Sequence, residues 1–293
     1  MSSMLRRRTS GSVVCPSCGS LVGVNDDRCY SCGRSNPGMW GFAPLLRQFG
    51  SDLGFVPLVI GASSVLYALS LIASGQSLVV MGRGFNILAP GGYTLLAFGA
   101  SGSSPVFALG AWWSVLSATW LHGSLLHIVF NMMWVRDIGP STADVVGPSR
   151  TVIIYVVSGV CGFLLSSLAG QYLPPIPLLF TSLSGAPLTV GASASIFGLL
   201  GALFHYGQKS GSSLIHGQAK QWALILFIYG LVMPGVDNFA HAGGFIGGYV
   251  TSVFFNPLTR ERGDHMLVAV VCLVASFAAT AYSLFSFWPY LGQ

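Results

Sequence analysis

Polar side chains capable of chemistry occur at three places in an otherwise apolar chain. His127 and Asn131 are four residues apart, Ser193 lies in the stretch Gly-Ala-Ser-Ala-Ser, and His241 lies in Ala-His-Ala-Gly-Gly. A serine acts as a nucleophile when a histidine beside it accepts its proton, and N–H donors can stabilise the oxyanion that forms. These residue types predict acyl-transfer chemistry if the fold brings them together.

Each group also has a purely structural interpretation. His127 and Asn131 share one face of a helix and could bond to neighbouring helices. Ser193 could cap a helix, and Ser195 is a rival nucleophile that points about 200° around the helix and is expected to pack in the core. A helix that begins near Ser193 favours the nucleophile, because its amides and macrodipole stabilise developing negative charge.

Four cysteines near the N-terminus form two Cys-x-x-Cys pairs, each followed by a glycine, at Cys15, Cys18, Cys29 and Cys32. Thiolates on tight turns at this spacing suit tetrahedral zinc, and the alternative is a disulfide pair. A cytoplasmic tail favours zinc. A site closed by four protein thiolates predicts a structural zinc ribbon, with an unknown partner, rather than catalysis. The remaining cysteines, Cys161 and Cys272, are expected to pack in the core.

The composition indicates the environment in which these residues work. Only 7% of the 293 residues are charged, against roughly a quarter in soluble domains. Hydrophobic residues make up 53%, and the mean hydropathy is +0.70. The net charge of +5 comes from residues dispersed between apolar blocks, which argues against a nucleic-acid partner. The sequence therefore predicts a multi-pass membrane protein and excludes a soluble enzyme.

Hydropathy predicts six spans and a further C-terminal seventh. The fourth is short and follows a proline-rich stretch, so we expect it to begin below the membrane surface. The glycine-rich segment 74–110 is expected to form a loop lying partly in the interface. The predicted spans are 55–73, 112–135, 150–169, 191–207, 221–235, 238–256 and 266–288.

The basic residues predict the orientation. With a cytoplasmic N-terminus, twelve of them fall on the cytoplasmic side and only Arg83 falls outside, which is a strong positive-inside pattern. No signal-peptide cleavage site is apparent. We expect His205, His216 and His265 on the cytoplasmic surface. The twelve residues are Arg6, Arg7, Arg8, Arg28, Arg34, Arg47, Arg136, Arg150, Lys209, Lys220, Arg260 and Arg262.

Small residues recur every four positions on two of the predicted helices. They form one series at Ala240, Gly244, Gly248 and Ser252, and a second at Ala194, Gly198 and Ala202. Small residues at this spacing allow membrane helices to pack closely. Contact between the two faces would bring Ser193 within reach of His241.

The three motifs in this order, H-x4-H-x3-N, G-x-S-x and A-H-x-G-G-x-x-x-G, resemble those of the rhomboid family of intramembrane serine proteases. The match extends from about Trp112 to Ser252. The resemblance implies an all-α polytopic fold, with a rhomboid-like six-helix bundle joined here by a seventh helix and a small N-terminal zinc ribbon. It also implies cleavage of peptide bonds in or near transmembrane segments, without a catalytic cofactor.

The resemblance also implies a role for each matched residue. Ser193 would be the nucleophile and His241 the general base, while His127, Asn131 and the Ser193 N–H would hold the oxyanion. His122 would be a structural partner of the second helix, and Phe197 would place its ring against the histidine. The supporting positions are therefore His122, Phe197, Gly191, Gly244 and Gly248.

Two positions depart from the family pattern. Ala194 stands where the family often has glycine, which would tighten the space beside the oxyanion site. Ser114 stands where the family commonly has arginine, which affects stability more than activity. Asp237, four residues before His241, could orient the imidazole. The resemblance implies a Ser–His dyad, however, so we do not expect a triad.

The predicted organisation is a ribbon tail over 1–36, a linker over 37–54, a catalytic membrane domain over 55–256, and a loop with the seventh helix over 257–293. The expected location is the inner (cytoplasmic) membrane, where the protein would act on transmembrane substrates. A non-proteolytic rhomboid-like protein that binds membrane clients is the competing class. A transporter is disfavoured, because no charged pair lies within the spans and no inverted repeat is visible.

Overall fold

The computed structural model describes residues 7–48, 50–82, 86–178, 182–259 and 261–290. Within these residues the chain is mostly helical, as the sequence predicts. Seven long helices are α1 (Phe55–Ser74), α2 (Leu125–Val146), α3 (Pro148–Tyr172), α4 (Ser193–Ser210), α5 (Ser213–Val232), α6 (Asn238–Phe255) and α7 (Gly263–Phe287).

Three of these helices, α1, α3 and α7, are long and apolar enough to cross a membrane by length and composition, within the described ranges. The other four are less apolar. For example, α2 contains Arg136, Asp137 and Asp144, and α4 and α6 have only 18 residues each. Polar residues and glycines lower the mean hydropathy of these helices, although α2 and α4 also contribute apolar side chains such as Val135 and Leu199 to the main core.

The predicted second span, 112–135, is wrong in its boundaries. Residues before His122 form two short helical turns, Ser114–Ser117 and Ala118–Trp120, and α2 begins only at Leu125. Ser124 ends the irregular segment, because its hydroxyl accepts the His127 N–H at 3.3 Å as an N-cap. The apolar composition of 112–121 hides this break from a hydropathy scan.

Short elements fill the connections. The predicted loop 74–110 contains the antiparallel strands β3 (Val79–Met81) and β4 (Ile87–Ala89). The ribbon tail contains β1 (Ser12–Val14) and β2 (Leu21–Gly23), and β5 (Ile176–Pro177) pairs with β6 (Ser182–Leu183). Short helical segments are Met39–Gly41, Ala43–Arg47, Gly75–Ser77, Gly92–Phe98, Ser104–Ala108 and Trp288–Tyr290.

The predicted contact between the two small-residue faces is confirmed. A methyl group on Gly244 of α6 would overlap the backbone carbonyl of Ala194 on α4, and one on Gly248 would overlap that of Gly198. On its other side α6 meets α3, where a methyl on Gly243 would lie 2.7 Å from the Cys161 carbonyl. Backbones therefore approach closely on both sides of α6, which explains its glycine content.

Helices α2 and α3 are joined by a single residue, Gly147. It ends α2 and begins α3, with φ of +97° and ψ of 149°. This backbone conformation strongly favours glycine. The side chain of Glu261, from the α6–α7 connection, occupies the space beside it, 2.9 Å from where a methyl group would project.

The first turns of α2, α4 and α6 lie at one end of the bundle, and the cysteine-rich tail lies at the other. A cavity of about 420 Å³ at the tail end is lined by Pro16 and Ser17 of the tail, by the α2–α3 turn and by the α6–α7 connection. Arg34, Arg150 and Arg262 lie at this end. Arg6, Arg83 and Arg260 lie outside the described residues.

The histidines at the predicted surface are more enclosed than expected. His205 is buried, with Nδ1 2.9 Å from Ser252 Oγ, so its assignment to the surface is wrong. His216 and His265 are half-buried, and the His265 ring accepts the Arg150 Nε–H at 3.2 Å. Close packing of α4 on α6 explains the burial of His205, because Ser252 belongs to the small-residue face of α6.

Candidate active site

Ser193 is the first residue of α4. Gly191, with φ of +131°, turns the chain into this helix, and Ser193 is half-buried at its start. The N–H groups of the first helical turn have no partner within a helix, so they are available to an oxyanion or another acceptor. The predicted helix start near Ser193 is confirmed.

His241 lies in the first turn of α6 and is 6% exposed. Its ring stacks on Phe197, with centroids 4.3 Å apart and an angle of 16° between the planes. Phe197 is one turn after Ser193 on α4. The stacking holds the imidazole against the helix that begins with the serine, as the family resemblance implies for Phe197.

The side chain that contacts the His241 imidazole from the start of α6 is that of Asn238 rather than that of Asp237. His241 Nδ1 lies 3.2 Å from Asn238 Oδ1. The Asp237 carboxylate instead caps α6 by accepting the Ala240 N–H at 3.0 Å, and it accepts the Ser166 hydroxyl at 2.5 Å. The expectation that Asp237 forms no triad therefore agrees with its side-chain contacts.

His127 lies beside the turn that precedes Ser193. Its Nδ1 accepts the Gly123 N–H at 3.3 Å, which assigns the ring hydrogen to Nε2. A methyl group on Gly191 would lie 2.6 Å from His127 Nε2 and 3.8 Å from Ser193 Oγ. The absence of a side chain at Gly191 therefore leaves open the space between a ring N–H and the serine hydroxyl.

Asn131 and His122 both contact His127. Asn131 Nδ2 donates to the His127 backbone carbonyl at 2.8 Å, so its amide is bonded to its own helix. His122 is 1% exposed and lies before α2, with its ring edge-on to His127 at 5.2 Å. Within the described residues, neither ring nitrogen of His122 has a hydrogen-bond partner in good geometry.

The rival serine and the two departures from the motif are all accounted for by packing. Ser195 is fully buried and shares a hydrogen bond of 2.9 Å with Thr119, as predicted for a packing residue. Ala194 is buried and places its methyl against Gly162 of α3. Ser114 is buried and donates to Ser101 Oγ at 3.2 Å.

The four N-terminal cysteines converge on one point. Their sulfur atoms lie within 4.8 Å of one another, with Cys15 Sγ 3.7 Å from Cys32 Sγ and Cys18 Sγ 3.6 Å from Cys29 Sγ. A tetrahedron with metal–sulfur bonds of about 2.3 Å has edges of about 3.8 Å, so the sulfurs fit a zinc ion. The four cysteines can therefore hold a metal ion.

The two turns that carry the cysteines are built on glycine. Gly19 and Gly33 have φ of +76° and +74°, and their N–H groups donate to the carbonyls of Cys15 and Cys29 at 2.9 and 2.8 Å. Burial raises the pKa of the Cys15 and Cys32 thiols, whereas hydrogen bonds with Ser20, Cys32 and Cys29 outweigh burial at Cys18 and lower its pKa to about 6. A thiolate is the form that binds metal.

Comparison with known proteins identifies the family. Residues 109–258, just over half of the chain, match the Rhomboid domain family. The chain belongs to the rhomboid family. The matched residues of this rhomboid protein include every residue of the candidate site, and they exclude the cysteine-rich tail.

Curated relatives agree with this assignment. The chain is 29% identical to Rhomboid protease GluP of Bacillus subtilis over 66% of this chain and 36% of that protein. It is 33% identical to RHOMBOID-like protein 7 of Arabidopsis thaliana over 56% of this chain and 49% of that protein. It is also 28% identical to Inactive RHOMBOID-like protein 8 of the same plant, over 51% of this chain and 40% of that protein. The chain thus spans about a third to a half of these relatives.

Proposed function

We propose that this protein is an intramembrane serine endopeptidase that cleaves peptide bonds in or near the transmembrane segments of other membrane proteins. The observation that carries the proposal is the stacking of His241 on Phe197, one turn after Ser193. A serine at a helix start and an imidazole held against the same helix supply a nucleophile and a base. The family match and the protease among its relatives support the same class.

In the proposed reaction Ser193 Oγ attacks the carbonyl carbon of the substrate while His241 Nε2 takes the hydroxyl proton. The resulting oxyanion accepts hydrogen bonds from the Ser193 N–H and from His127 Nε2–H. His241 then returns the proton to the leaving amine, which gives an acyl-enzyme. Water activated by the same histidine releases the acyl group. Asn131 would join the oxyanion donors through the second hydrogen of its Nδ2 group, because the bond to the His127 carbonyl uses only one of the two.

We further propose that the protein lies in the cytoplasmic membrane with its N-terminus in the cytoplasm. The support is the bias of basic residues predicted from the sequence. In this orientation the cysteine-rich tail is cytoplasmic, and the first turns of α2, α4 and α6 face the opposite side. Water would then reach Ser193 from the non-cytoplasmic side.

A second candidate function is binding of membrane clients without proteolysis, and the inactive plant relative favours it. Such a protein would bind a client segment while no acyl-enzyme forms. The two candidates differ in one measurable property, which is covalent reaction at Ser193.

The test is labelling of the purified protein by a fluorophosphonate probe, together with cleavage of a transmembrane reporter. Ser193→Ala and His241→Ala should abolish both signals, because the adduct needs the hydroxyl and the base. Ser195→Ala is the matched control, since it removes a serine hydroxyl two residues away and should still be labelled. Labelling that persists in Ser193→Ala would overturn the assignment, as would loss of labelling in a Ser195→Ala protein that circular dichroism shows to be folded.

We also propose that the four cysteines hold a structural zinc ion, for which the convergence of their sulfur atoms is the support. Bound zinc would join the two turns of the tail and supply no open coordination position for chemistry. Purified protein should contain one zinc per chain, and Cys18→Ser combined with Cys29→Ser should contain none. Equal zinc content in the two proteins would contradict this site.

A further inference from the structure

Asn238 is a buried amide beside the proposed base. It is the first residue of α6, three residues before His241, and 2% of its surface is exposed. Its Nδ2 donates to the backbone carbonyl of Phe227 on α5 at 3.3 Å, and its Oδ1 lies 3.2 Å from His241 Nδ1. The amide therefore bridges one helix and the imidazole of the next.

These two contacts assign the hydrogen on the imidazole. A backbone carbonyl only accepts, so the amide nitrogen of Asn238 faces Phe227 and the amide oxygen faces the ring. That oxygen also only accepts, so Nδ1 of His241 carries the hydrogen and Nε2 keeps its lone pair. A general base needs a ring nitrogen with such a lone pair.

The surrounding structure leaves room for this arrangement. A methyl group on Gly230 of α5 would overlap the Asn238 amide oxygen. Gly230 is itself buried in the last turn of α5, which ends at Val232. Its presence here is explained by the space that the amide requires.

We propose that Asn238 is a positioning residue that selects the tautomer and the ring orientation of His241. This inference rests on the proposed protease function.

The test is the rate of fluorophosphonate labelling across pH for Asn238→Leu and Asn238→Asp. Asn238→Leu should label about 100-fold more slowly, because the ring loses its fixed tautomer. Asn238→Asp should move the acidic limb of the profile up by about one pH unit or more, because a carboxylate favours the imidazolium.

Two glycine variants of α5 form a matched pair that leaves Asn238 itself intact. Gly230→Ala should slow labelling by displacing the amide, whereas Gly217→Ala, whose added methyl meets nothing within 4 Å, should label like the wild type. A folded Asn238→Leu protein with the wild-type rate and profile would overturn the positioning role. Undiminished labelling of Ser193→Ala would instead overturn the protease function, so the two failures are distinguishable.

A second observation lies at the opposite end of the molecule, where the tail contacts the membrane domain through buried charges. Arg34, two residues after Cys32, is 3% exposed and has Nη1 4.0 Å from Oε2 of Glu261, which is 4% exposed. Glu261 Oε1 accepts the Arg150 N–H at the start of α3, at 2.8 Å. Burial raises the pKa of Glu261, and Arg150 and Arg34 oppose that rise.

Arg34 also connects the two cysteine turns. Its Nη1 donates to Ser17 Oγ, between Cys15 and Cys18, at 2.5 Å, and its carbonyl accepts the Cys29 N–H at 2.8 Å. Arg34 therefore follows the Cys29–Cys32 turn in sequence, while its guanidinium contacts the Cys15–Cys18 turn and Glu261 in the α6–α7 connection. Loss of the metal would free the turns from each other and release the arginine from Glu261.

We infer that metal binding by the four cysteines and docking of the tail on the membrane domain are coupled through Arg34 and Glu261. Coupling is reciprocal, so docking must tighten metal binding as much as metal binding tightens docking. This inference rests on the proposed zinc site. Its consequence is a tail that senses metal supply at the end of the bundle remote from Ser193.

The test measures zinc affinity of the full chain in detergent by competition with a chromophoric chelator. Glu261→Ala should bind zinc about ten-fold more weakly, as for other residues that support metal ligands. Asp264→Asn is the control, because Asp264 is exposed and forms an ion pair with exposed Arg262 at 3.1 Å.

Limited proteolysis provides the second measurement. Zinc removal from the wild type should increase cleavage within 37–54, because the undocked tail exposes the linker. Equal zinc affinity in Glu261→Ala and the wild type, with unchanged cleavage after zinc removal, would overturn the coupling. A wild-type chain that binds no zinc would overturn the zinc site instead.

Discussion

Replacing Gly244 by alanine should separate α4 from α6 where the proposed nucleophile and base meet. The added methyl would overlap the Ala194 carbonyl, which belongs to the backbone and cannot rotate away. Overpacking of this kind lowers the free energy of unfolding by up to about 3 kcal/mol. The higher helix propensity of alanine relative to glycine raises it by about 1 kcal/mol. The expected net loss in the free energy of unfolding is about 2 kcal/mol.

Gly61→Ala is the control, because Gly61 lies inside α1 and a methyl there meets nothing within 4 Å. This variant should gain about 1 kcal/mol, so the two proteins should differ by about 3 kcal/mol, or about 6–12 °C in Tm. Thermal unfolding in detergent measures the difference. Ala194 is the residue next to Ser193, and Gly244 is three residues after His241. A displacement of α4 from α6 by about 1 Å should therefore also slow fluorophosphonate labelling about 100-fold. A Gly244→Ala protein as stable and as reactive as Gly61→Ala would refute the close contact.

Three further substitutions probe single contacts. Ser195→Ala should lower stability by about 1–3 kcal/mol in thermal unfolding, because Thr119 loses its buried partner, while labelling by the probe continues. Trp113→Phe should lower Tm by about 2–4 °C, because it removes a hydrogen bond of 2.8 Å from the indole N–H to Ser283 on α7. Phe197→Leu should keep the fold in circular dichroism but slow labelling, because the proposed base loses the ring on which it stacks; an unchanged rate would contradict that role.

Local patterns predicted the parts of the site that depend on helix geometry. The four-residue spacing of Gly244 and Gly248 defines one helix face whatever the surroundings are, so its contact with α4 could be predicted. The helix start near Ser193 follows in the same way from Gly191 and the proline-rich stretch before it. The catalytic roles stay predictions, since they concern reactivity.

Other contacts depend on tertiary structure that local patterns do not encode. Asn238 was missed although it lies three residues before His241, a spacing that places both on one helix face and could have identified it. The partner of Arg34 could not be predicted, because Glu261 is more than 200 residues away in sequence. The short turns before Leu125 were missed because apolar composition is the same in a spanning helix and in a buried, irregular segment.

The single-residue connection at Gly147 has a consequence for engineering this protein. With no loop between α2 and α3, an inserted tag or linker there would have to unwind a helix end and displace Glu261. The strand Val79–Met81 is exposed, and the sequence that joins it to Ile87–Ala89 offers a longer connection on which an insertion need not disturb a helix end. Epitopes and fluorophores should therefore be inserted in that hairpin, whereas the sequence of the α2–α3 turn should be left unchanged in any chimera.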